Sequence, residues 1–336
     1  MHILINDFIG GYLDRGMPLY VRNLIDGLKQ EGFRVSVVRA PRICRILPRN
    51  VFYVVSVLVE QMVLPVIGYF KRADMTLYPY NSVAIVDLLT QRGRIVVHDL
   101  EQLNRAISPS KLYYLACYRA IKWLGRPVFT ISKQSRQRLQ TSGRFGHGAI
   151  TMLPNTFYSF EQLLSSHPSS GRAKSSILLC TGSTANKDLE SVVRDYLPEV
   201  LAAGFHVSVL GLHKTADATR LAPLSDFMMS GQLTLCGQLT DKQVAEEYQK
   251  HSIVWVHSLR EGFGRCVVEG RLAGARVICT DIPEFVELRD DDVYQYQDPA
   301  DFLSKLETLR HMDPSARPYV SYPYRELLRA SVGAGL

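Results

Sequence analysis

Short apolar runs alternate with longer amphipathic stretches along nearly the whole chain. His2-Ile-Leu-Ile5, Val35 to Val38, Arg94-Ile-Val-Val-His98, Val128-Phe-Thr-Ile-Ser132, Ile177-Leu-Leu-Cys180, His206-Val-Ser-Val-Leu-Gly211, Leu233-Thr-Leu-Cys-Gly-Gln238, Ile253-Val-Trp-Val256 and Val277-Ile-Cys279 read as buried strands. The stretches between them carry helical spacing. Pro18 to Gln30 places Leu19, Val21, Leu24, Ile25 and Leu28 on one face, and Lys111 to Leu124, Asp241 to Lys250 and Tyr324 to Ser331 read as further helices. Strand and helix in alternation predict an α/β fold with parallel sheets. A length of 336 residues suggests two domains. We expect the first over 1–160 and a second over 176–312. A Ser-, Pro- and Gly-rich linker is expected over 161–175, with a tail over 313–336 that ends in a helix returning to the first domain.

One segment breaks the pattern. Arg39, Arg42, Arg45 and Arg49 lead into VFYVVSVLVEQMVLPVIGYF, an apolar run long enough for a bilayer. Glu60, Gln61 and Pro65 argue against a span. Residues 39–70 therefore read either as a helix of the domain or as a basic, apolar patch docking on an anionic membrane surface.

Charge sharpens that choice. The net charge is +7, but residues up to Asn155 carry 21 Lys and Arg against 9 Asp and Glu, and the remainder 18 against 23. A basic first half suits an acidic partner: an anionic membrane, a lipid pyrophosphate or, last because no motif accompanies it, nucleic acid. The six cysteines form no CxxC pair or metal-like cluster, which suggests reduced thiols and a cytoplasmic setting. Met1 to Ile5 is too short for a signal peptide. Asp290-Asp-Asp292 reads as a solvated turn past the last core strand, not as a metal site.

Candidate chemistry gathers between His257 and Glu287. A strand, a loop bearing Gly262 and Gly264, a helix from Arg265 to Gly274 and another strand follow in order. Helix N-termini carry free N–H groups and partial positive charge, and glycine lets a ligand approach the backbone. With Glu261 in the loop and Glu269 on the helix, the unit suits a ligand with hydroxyls on both sides of a phosphate. The plainer alternative is a buried crossover with two solvated glutamates. Thr181-Gly-Ser-Thr-Ala-Asn-Lys187, after an earlier strand, can also hold phosphate, and Gly10-Gly11 turns above the first strand. No G-x-G-x-x-G follows that strand, against a NAD-linked enzyme.

Glu261-x-Phe-Gly264, Glu269, Ala273-Gly274, Val277-Ile278 and the trailing Asp281-Ile-Pro-Glu-Phe-Val-Glu287 resemble the donor-site signature of the family-4 retaining glycosyltransferases. Tyr78-Pro-Tyr-Asn81 and Val97-His-Asp-Leu100 resemble segments of the bacterial cell-surface polysaccharide members, which transfer mannose or rhamnose. Leu153-Pro-Asn155 is similar to their entry into the second domain. The resemblance implies the GT-B fold, two Rossmann-like domains with parallel sheets facing a cleft. It implies His98 and Glu261 as catalytic residues. Gly10, Gly11, Gly182, Ser183, Lys187, Gly262, Phe263, Gly264, Arg265, Cys266 and Glu269 fall at its donor site. It implies a nucleoside-diphosphate sugar donor, a lipid-linked saccharide acceptor, a place on the inner face of the plasma membrane, and no metal or other cofactor. The sequence departs where His257 and Arg276 replace prolines and Ser183 replaces an arginine; Arg265 could supply that missing charge. A non-catalytic sugar-nucleotide binder and another enzyme of this architecture, such as an epimerase, are the alternatives.

Overall fold

The computed structural model describes residues 1–13, 16–100, 108–146, 148–166, 171–212, 218–312, 319 and 321–334. The chain forms two units. One comprises Met1–Tyr158 with Pro323–Leu336, and the other Ser159–Tyr322. Each is built on a six-stranded sheet in which every pairing is parallel.

The first sheet contains β1 (His2–Asp7), β2 (Arg34–Arg39), β3 (Met75–Tyr78), β4 (Gly93–Val97), β5 (Val128–Thr130) and β6 (Ile150–Met152), in the order β2-β1-β3-β4-β5-β6. The second contains β7 (Ala173–Cys180), β8 (His206–Leu210), β9 (Leu233–Gly237), β10 (His251–Val256), β11 (Arg276–Thr280) and β12 (Val293–Tyr296), in the order β12-β11-β10-β7-β8-β9. Helices cover both faces of a parallel sheet, so its central strands carry near-continuous apolar runs. Ile3, Leu4 and Ile5 are buried in the first core, and Ile177 to Leu179 and Ile253 to Val256 in the second. Both sheets reverse direction once. In the first, β2 lies on one side of β1 and β3 on the other; in the second, β8 and β10 flank β7. The loops leaving the C-terminal ends of such strands diverge, and the gap between them is where open α/β sheets bind ligands.

Regular structure reaches into both ends of the segment expected as linker: Tyr158–Ser166 is a helix, and β7 begins at Ala173. Phe160 supplies the reason: its ring packs edge-on against Tyr248 with centroids 5.5 Å apart. The closing helix, Tyr324–Ala334, packs on β6 and on the helix Gly16–Gln30. Leu328 is fully buried there, and Arg329 donates to Glu31 Oε1 at 3.2 Å.

In the turn Asp290 to Asp292 only Asp291 faces solvent, and β12 follows it as a further strand. Arg271 is almost wholly buried and donates to both Asp290 oxygens at 3.0 and 3.1 Å and to Asp292 at 3.2 Å. A buried guanidinium requires such partners, and it turns the aspartates inward. Among the described residues, no group of His, Cys, Asp or Glu is arranged to hold a metal.

Arg49–Phe70 is one continuous helix with a wide π-turn at Val59–Val63, and by length and composition it could cross a bilayer. Its polarity is inverted. Phe52, Ser56, Glu60, Leu64 and Gly68 face the domain. Val51, Val54, Leu58, Met62, Val66, Tyr69 and Phe70 are exposed, Met62 by 66% and Phe70 by 78%. Glu60 accepts from Asn6 and Ser82, each at 2.9 Å, and from Tyr113 at 2.5 Å. Gln61 bonds the Val83 carbonyl, Tyr113 and the Ile85 amide. Two of the three residues that argue against a membrane span thus hold the helix to the end of β1, the loop after β3 and Tyr113.

Burial pushes the Glu60 carboxyl up to about 7, against the opposing pull of its three donors. For an acid whose folded value exceeds its unfolded one, the folded state holds the extra proton. Its contribution to stability is therefore present at low pH and is lost as pH rises from about 4.5 to about 7. Urea denaturation across that window is expected to show a declining component in the wild-type chain that Glu60→Gln removes.

Candidate functional site

The reversal of strand order beside β7 places two loops together. One runs from Thr181 to Lys187 after β7, and the other from His257 to Gly264 after β10. They are laced to each other. The Leu259 amide donates to the Asn186 carbonyl at 2.8 Å, and Asn186 Nδ2 donates to the Arg260 carbonyl at 3.1 Å. Lys187 Nζ then donates to Glu261 Oε1 in an ion pair across the two loops. Ser258 Oγ donates to the same oxygen at 2.7 Å. From the far side, the Glu261 amide meets Glu284 Oε1 at 3.4 Å; Glu284 is itself buried on the short helical turn Pro283–Leu288.

Backbone geometry sets this loop. Gly264 caps the helix Arg265–Leu272 with φ of 99° and ψ of 50°, a left-handed conformation that suits glycine. A Cβ there would also stand 2.5 Å from the Phe285 ring. Phe263, beside it, is a buried anchor whose ring lies 4.7 Å from that of Tyr322. Glycine is thus required at the entrance to the helix, and the first-turn N–H groups of Arg265–Leu272 lie on the Glu261 side of it.

Both oxygens of Glu269, one turn into that helix, are engaged. Arg265 donates to Oε1 and the Tyr248 hydroxyl to Oε2, each at 3.0 Å. In this state the Arg265 charge serves Glu269. Cys266 follows Arg265 in the same turn and is half-buried, and Cys180 ends β7. Gly182 and Ser183 occupy the rim of the first loop, with Ser183 exposed. Burial alone would lower the Lys187 ammonium, but the Glu261 carboxylate, aided by the nearby thiols, holds it above its ordinary value. The site therefore keeps a partly buried cation close to a helix N-terminus, an arrangement that attracts a phosphate.

Two further residues escape a reading by motif. His257, 4% exposed, has its Nδ1 2.6 Å from the Tyr296 hydroxyl, and burial pulls its imidazolium down to about 4. Trp255 Nε1 donates to that hydroxyl at 2.9 Å, so the hydroxyl proton points to His257 Nδ1 and the ring carries its own proton on Nε2. His257 Nε2 and Thr181 Oγ1 are both buried and, among the described residues, have no hydrogen-bond partner. They sit at the ends of adjacent strands, β10 and β7. A buried polar atom without a partner is costly unless a ligand meets it. Their signal in the sequence is only position: each directly follows the apolar run of its strand.

The other predicted residues belong to the first unit, at its own strand ends. The Gly10–Tyr12 turn follows β1, and a Cβ on Gly10 would overlap Asp7 and the Tyr80 hydroxyl, whereas Gly11 is exposed with open space around it. Tyr80 donates to Asp7 Oδ1 at 2.6 Å, and Arg39 to Asp7 Oδ2 at 2.8 Å. His98 follows β4 and is buried. Its amide donates to Asn81 Oδ1 at 2.8 Å, its Nε2 to the Pro79 carbonyl at 2.9 Å, and the Tyr20 ring meets it edge-on. Burial lowers its pKa, leaving a neutral ring with a lone pair on Nδ1.

Residues 175–311 match the family described as glycosyl transferases group 1. No curated protein matches the chain. Among solved structures, a glycosyltransferase from Rickettsia africae superposes with a TM-score of 0.65 at 16% identity, covering 98% of this chain and 93% of that one. HepE from Anabaena in complex with UDP and glucose gives 0.56 at 13%, covering 99% and 95%. UDP-GlcNAc 2-epimerase from Methanocaldococcus jannaschii gives 0.60 at 10%, covering 99% of both chains. This chain shares the GT-B fold with these structures, and in it the fold takes the form of two six-stranded parallel sheets with interleaved helices.

Gly264→Ala is expected to destabilise the second unit by about 2–4 kcal/mol, because it combines a left-handed backbone with an overlap on Phe285. Gly182→Ala, whose Cβ would meet nothing closer than Lys187 Cγ at 3.9 Å, is expected to stay within about 0.5 kcal/mol of wild type. Guanidinium denaturation of the two variants separates them.

Proposed function

We propose that the chain is a retaining glycosyltransferase that moves a hexose from a nucleoside-diphosphate sugar to a hydroxyl of a lipid-linked saccharide. The observation that carries the reading is the Lys187–Glu261 pair, set at a strand-order reversal before a glycine-capped helix and inside the region matched to the group 1 glycosyltransferases. HepE supports a nucleotide-sugar donor, since its complexes hold UDP, glucose and UDP-glucose. The resemblance to family-4 enzymes favours mannose, as GDP-mannose, for this chain.

The resting ion pair suggests how the site responds to its ligand. An incoming diphosphate competes for Lys187, and the sugar hydroxyls can replace Lys187 and Ser258 as donors to Glu261. Negative charge grows on the diphosphate as the anomeric C–O bond breaks. The Lys187 ammonium and the first-turn amides of Arg265–Leu272 oppose that charge without a divalent cation. The acceptor oxygen bonds to the anomeric carbon on the face the diphosphate leaves, and its proton passes to a phosphate oxygen. Glu261 orients the sugar. Glu269, released from Arg265, would receive the ribose hydroxyls, and the freed guanidinium would add charge where Ser183 replaces arginine. His98, neutral and held by Pro79, would offer Nδ1 to a sugar or acceptor hydroxyl.

An acceptor on a lipid would bring the chain to a membrane, and the helix Arg49–Phe70 suits an anionic inner leaflet. Its exposed stripe from Val51 to Phe70 continues into Ile43 and Ile46, exposed by 71% and 79%. Arg39, Arg42, Arg49, Lys71 and Arg72 surround the stripe and are exposed. Apolar insertion combined with a basic rim is the physics of a helix lying in the interface. An epimerase is the second reading, favoured by the likeness to UDP-GlcNAc 2-epimerases; it predicts an altered sugar still attached to its nucleotide.

Nucleotide release from a panel of sugar nucleotides tests the reaction. We expect one donor to turn over slowly without acceptor, undiminished by EDTA, and Glu261→Ala to reduce the rate by about 100-fold or more. An altered nucleotide sugar in place of free nucleotide would favour the epimerase. Flotation with phosphatidylglycerol vesicles tests the surface: binding is expected for wild type, with reduction by Val54→Asp/Met62→Asp and weakening by salt.

A further inference from the structure

Two buried polar atoms at the root of the loop from Thr181 to Lys187 have no role in the reaction above. His257 Nε2 and Thr181 Oγ1 have no hydrogen-bond partner among the described residues, and the two residues are 4% and 9% exposed. The strands bring them side by side. β7 and β10 pair in parallel with Cys180 opposite Val256, so Thr181 and His257 are the next residues on adjacent strands. Alternation puts both on the sheet face that carries Leu179 and Trp255. The ladder continues through Thr181, whose amide donates to the Leu210 carbonyl at 3.0 Å. His257 keeps to the same face, with its ring 5.2 Å from that of Tyr196 and 6.0 Å from that of Tyr296.

Topology then orients the imidazole. Tyr296 ends β12, which lies beyond β11 on one side of β10, and β7 lies on the other side. Nδ1 accepts from the Tyr296 hydroxyl at 2.6 Å, so it faces the β12 side. The two nitrogens of an imidazole point widely apart, and Nε2 is therefore turned to the β7 side, where Thr181 stands. The Trp255 indole donates to the same Tyr296 oxygen at 2.9 Å, which commits the hydroxyl proton to Nδ1 and the ring proton to Nε2. The result is a fixed N–H donor beside a hydroxyl that can rotate, both stripped of solvent. A water accepting from both would have two protons of its own to place, whereas a phosphate oxygen has none. Lys187, at the other end of the same loop, adds the charge that favours an anion.

We propose that His257 and Thr181 together hold a phosphate oxygen of a nucleoside diphosphate at the root of this loop. The proposal rests on the donor-site reading and adds two binding residues to it. The loop then contacts the diphosphate in two ways. At its root, the neutral N–H and O–H donors fix position; at its end, the Lys187 ammonium supplies charge. Neither His257 nor Thr181 exchanges a proton in this role. The cost of burying two unpartnered polar atoms is recovered when the diphosphate arrives, so part of the affinity is stored in the empty site.

The test is calorimetric titration of the full chain with UDP, GDP and inorganic pyrophosphate, beside thermal unfolding without ligand. Thr181→Val deletes the hydroxyl at nearly constant shape, and Thr181→Ser keeps it. His257→Asn keeps an acceptor for Tyr296 but deletes the Nε2 donor, and His257→Gln returns an N–H near that place. We expect Thr181→Val and His257→Asn each to weaken diphosphate binding about 10-fold or more, and Thr181→Ser and His257→Gln to stay within about 3-fold of wild type. The unfolding midpoint of Thr181→Val is expected to hold or rise, because an unpartnered buried hydroxyl is removed. In a chain labelled at histidine nitrogen, the His257 Nε2 resonance is expected to move when the diphosphate is added. Unchanged affinity in both deletions, affinity lost only together with a lowered midpoint, or an Nε2 resonance that ignores the diphosphate overturns the proposal and leaves the donor reading standing; a buried water then fills the place. Pyrophosphate that binds through His257 and Thr181 while neither nucleotide binds keeps the anion site and counts against the donor reading. Binding of none of the three overturns both.

Discussion

The reversal of strand order beside β7 is the constraint from which the site follows. Parallel strands need crossover helices, and a right-handed crossover continues in one direction until the chain passes back over its starting strand. In the second sheet that passage is from β9 to β10, and it leaves the ends of β7 and β10 adjacent with their loops free. Lys187 and Glu261 are 74 residues apart in sequence and meet because of it. Thr181 and His257, each with a buried polar atom, stand at the ends of the same two strands.

Placing charge at such a point has an energetic logic. A lone partly buried lysine would lose its charge or stay hydrated, and a lone glutamate likewise. Paired, the glutamate holds the lysine in its charged form, and the pair can be opened by a ligand that satisfies both at once. Glu269 with Arg265 repeats the device one turn into the helix. Arg271 with Asp290 and Asp292 shows the contrasting case. That network is deeper, its guanidinium is saturated, and it braces the far end of the same helix.

The first unit applies a different rule to its long helix. Amphipathic helices ordinarily turn their apolar side to the core. Here Ser56, Glu60 and Gly68 point inward with Phe52 and Leu64, while valines, Met62 and Phe70 point out. Glu60 and Gln61 find partners on β1, on the loop after β3 and on Tyr113, and those hydrogen bonds secure a helix whose outer surface is left unusually apolar. The same side chain that lowers the helix's average hydropathy is what frees its apolar face.

Much of this was legible in the sequence. Apolar runs of four to six residues fix strands such as β7 and β10, because a parallel strand buried on both faces has no room for polar alternation. Ser108, Ser132 and Thr240 cap their helices through side-chain oxygens, as local chemistry requires. The glycine-bearing turn between β10 and the helix at Arg265 could be read from spacing alone. Three-residue strands such as β6 leave too weak a pattern, and the Ser-rich stretch before β7 hid a helix held by Phe160. The acidic triplet at Asp290 resembled a solvated turn because nothing local reveals Arg271 beneath it. Periodicity and caps depend on near neighbours, so the chain itself determined its elements and their fold class. Which charges pair and which face of the long helix stays exposed depend on residues tens of positions away, and only the tertiary structure decided them.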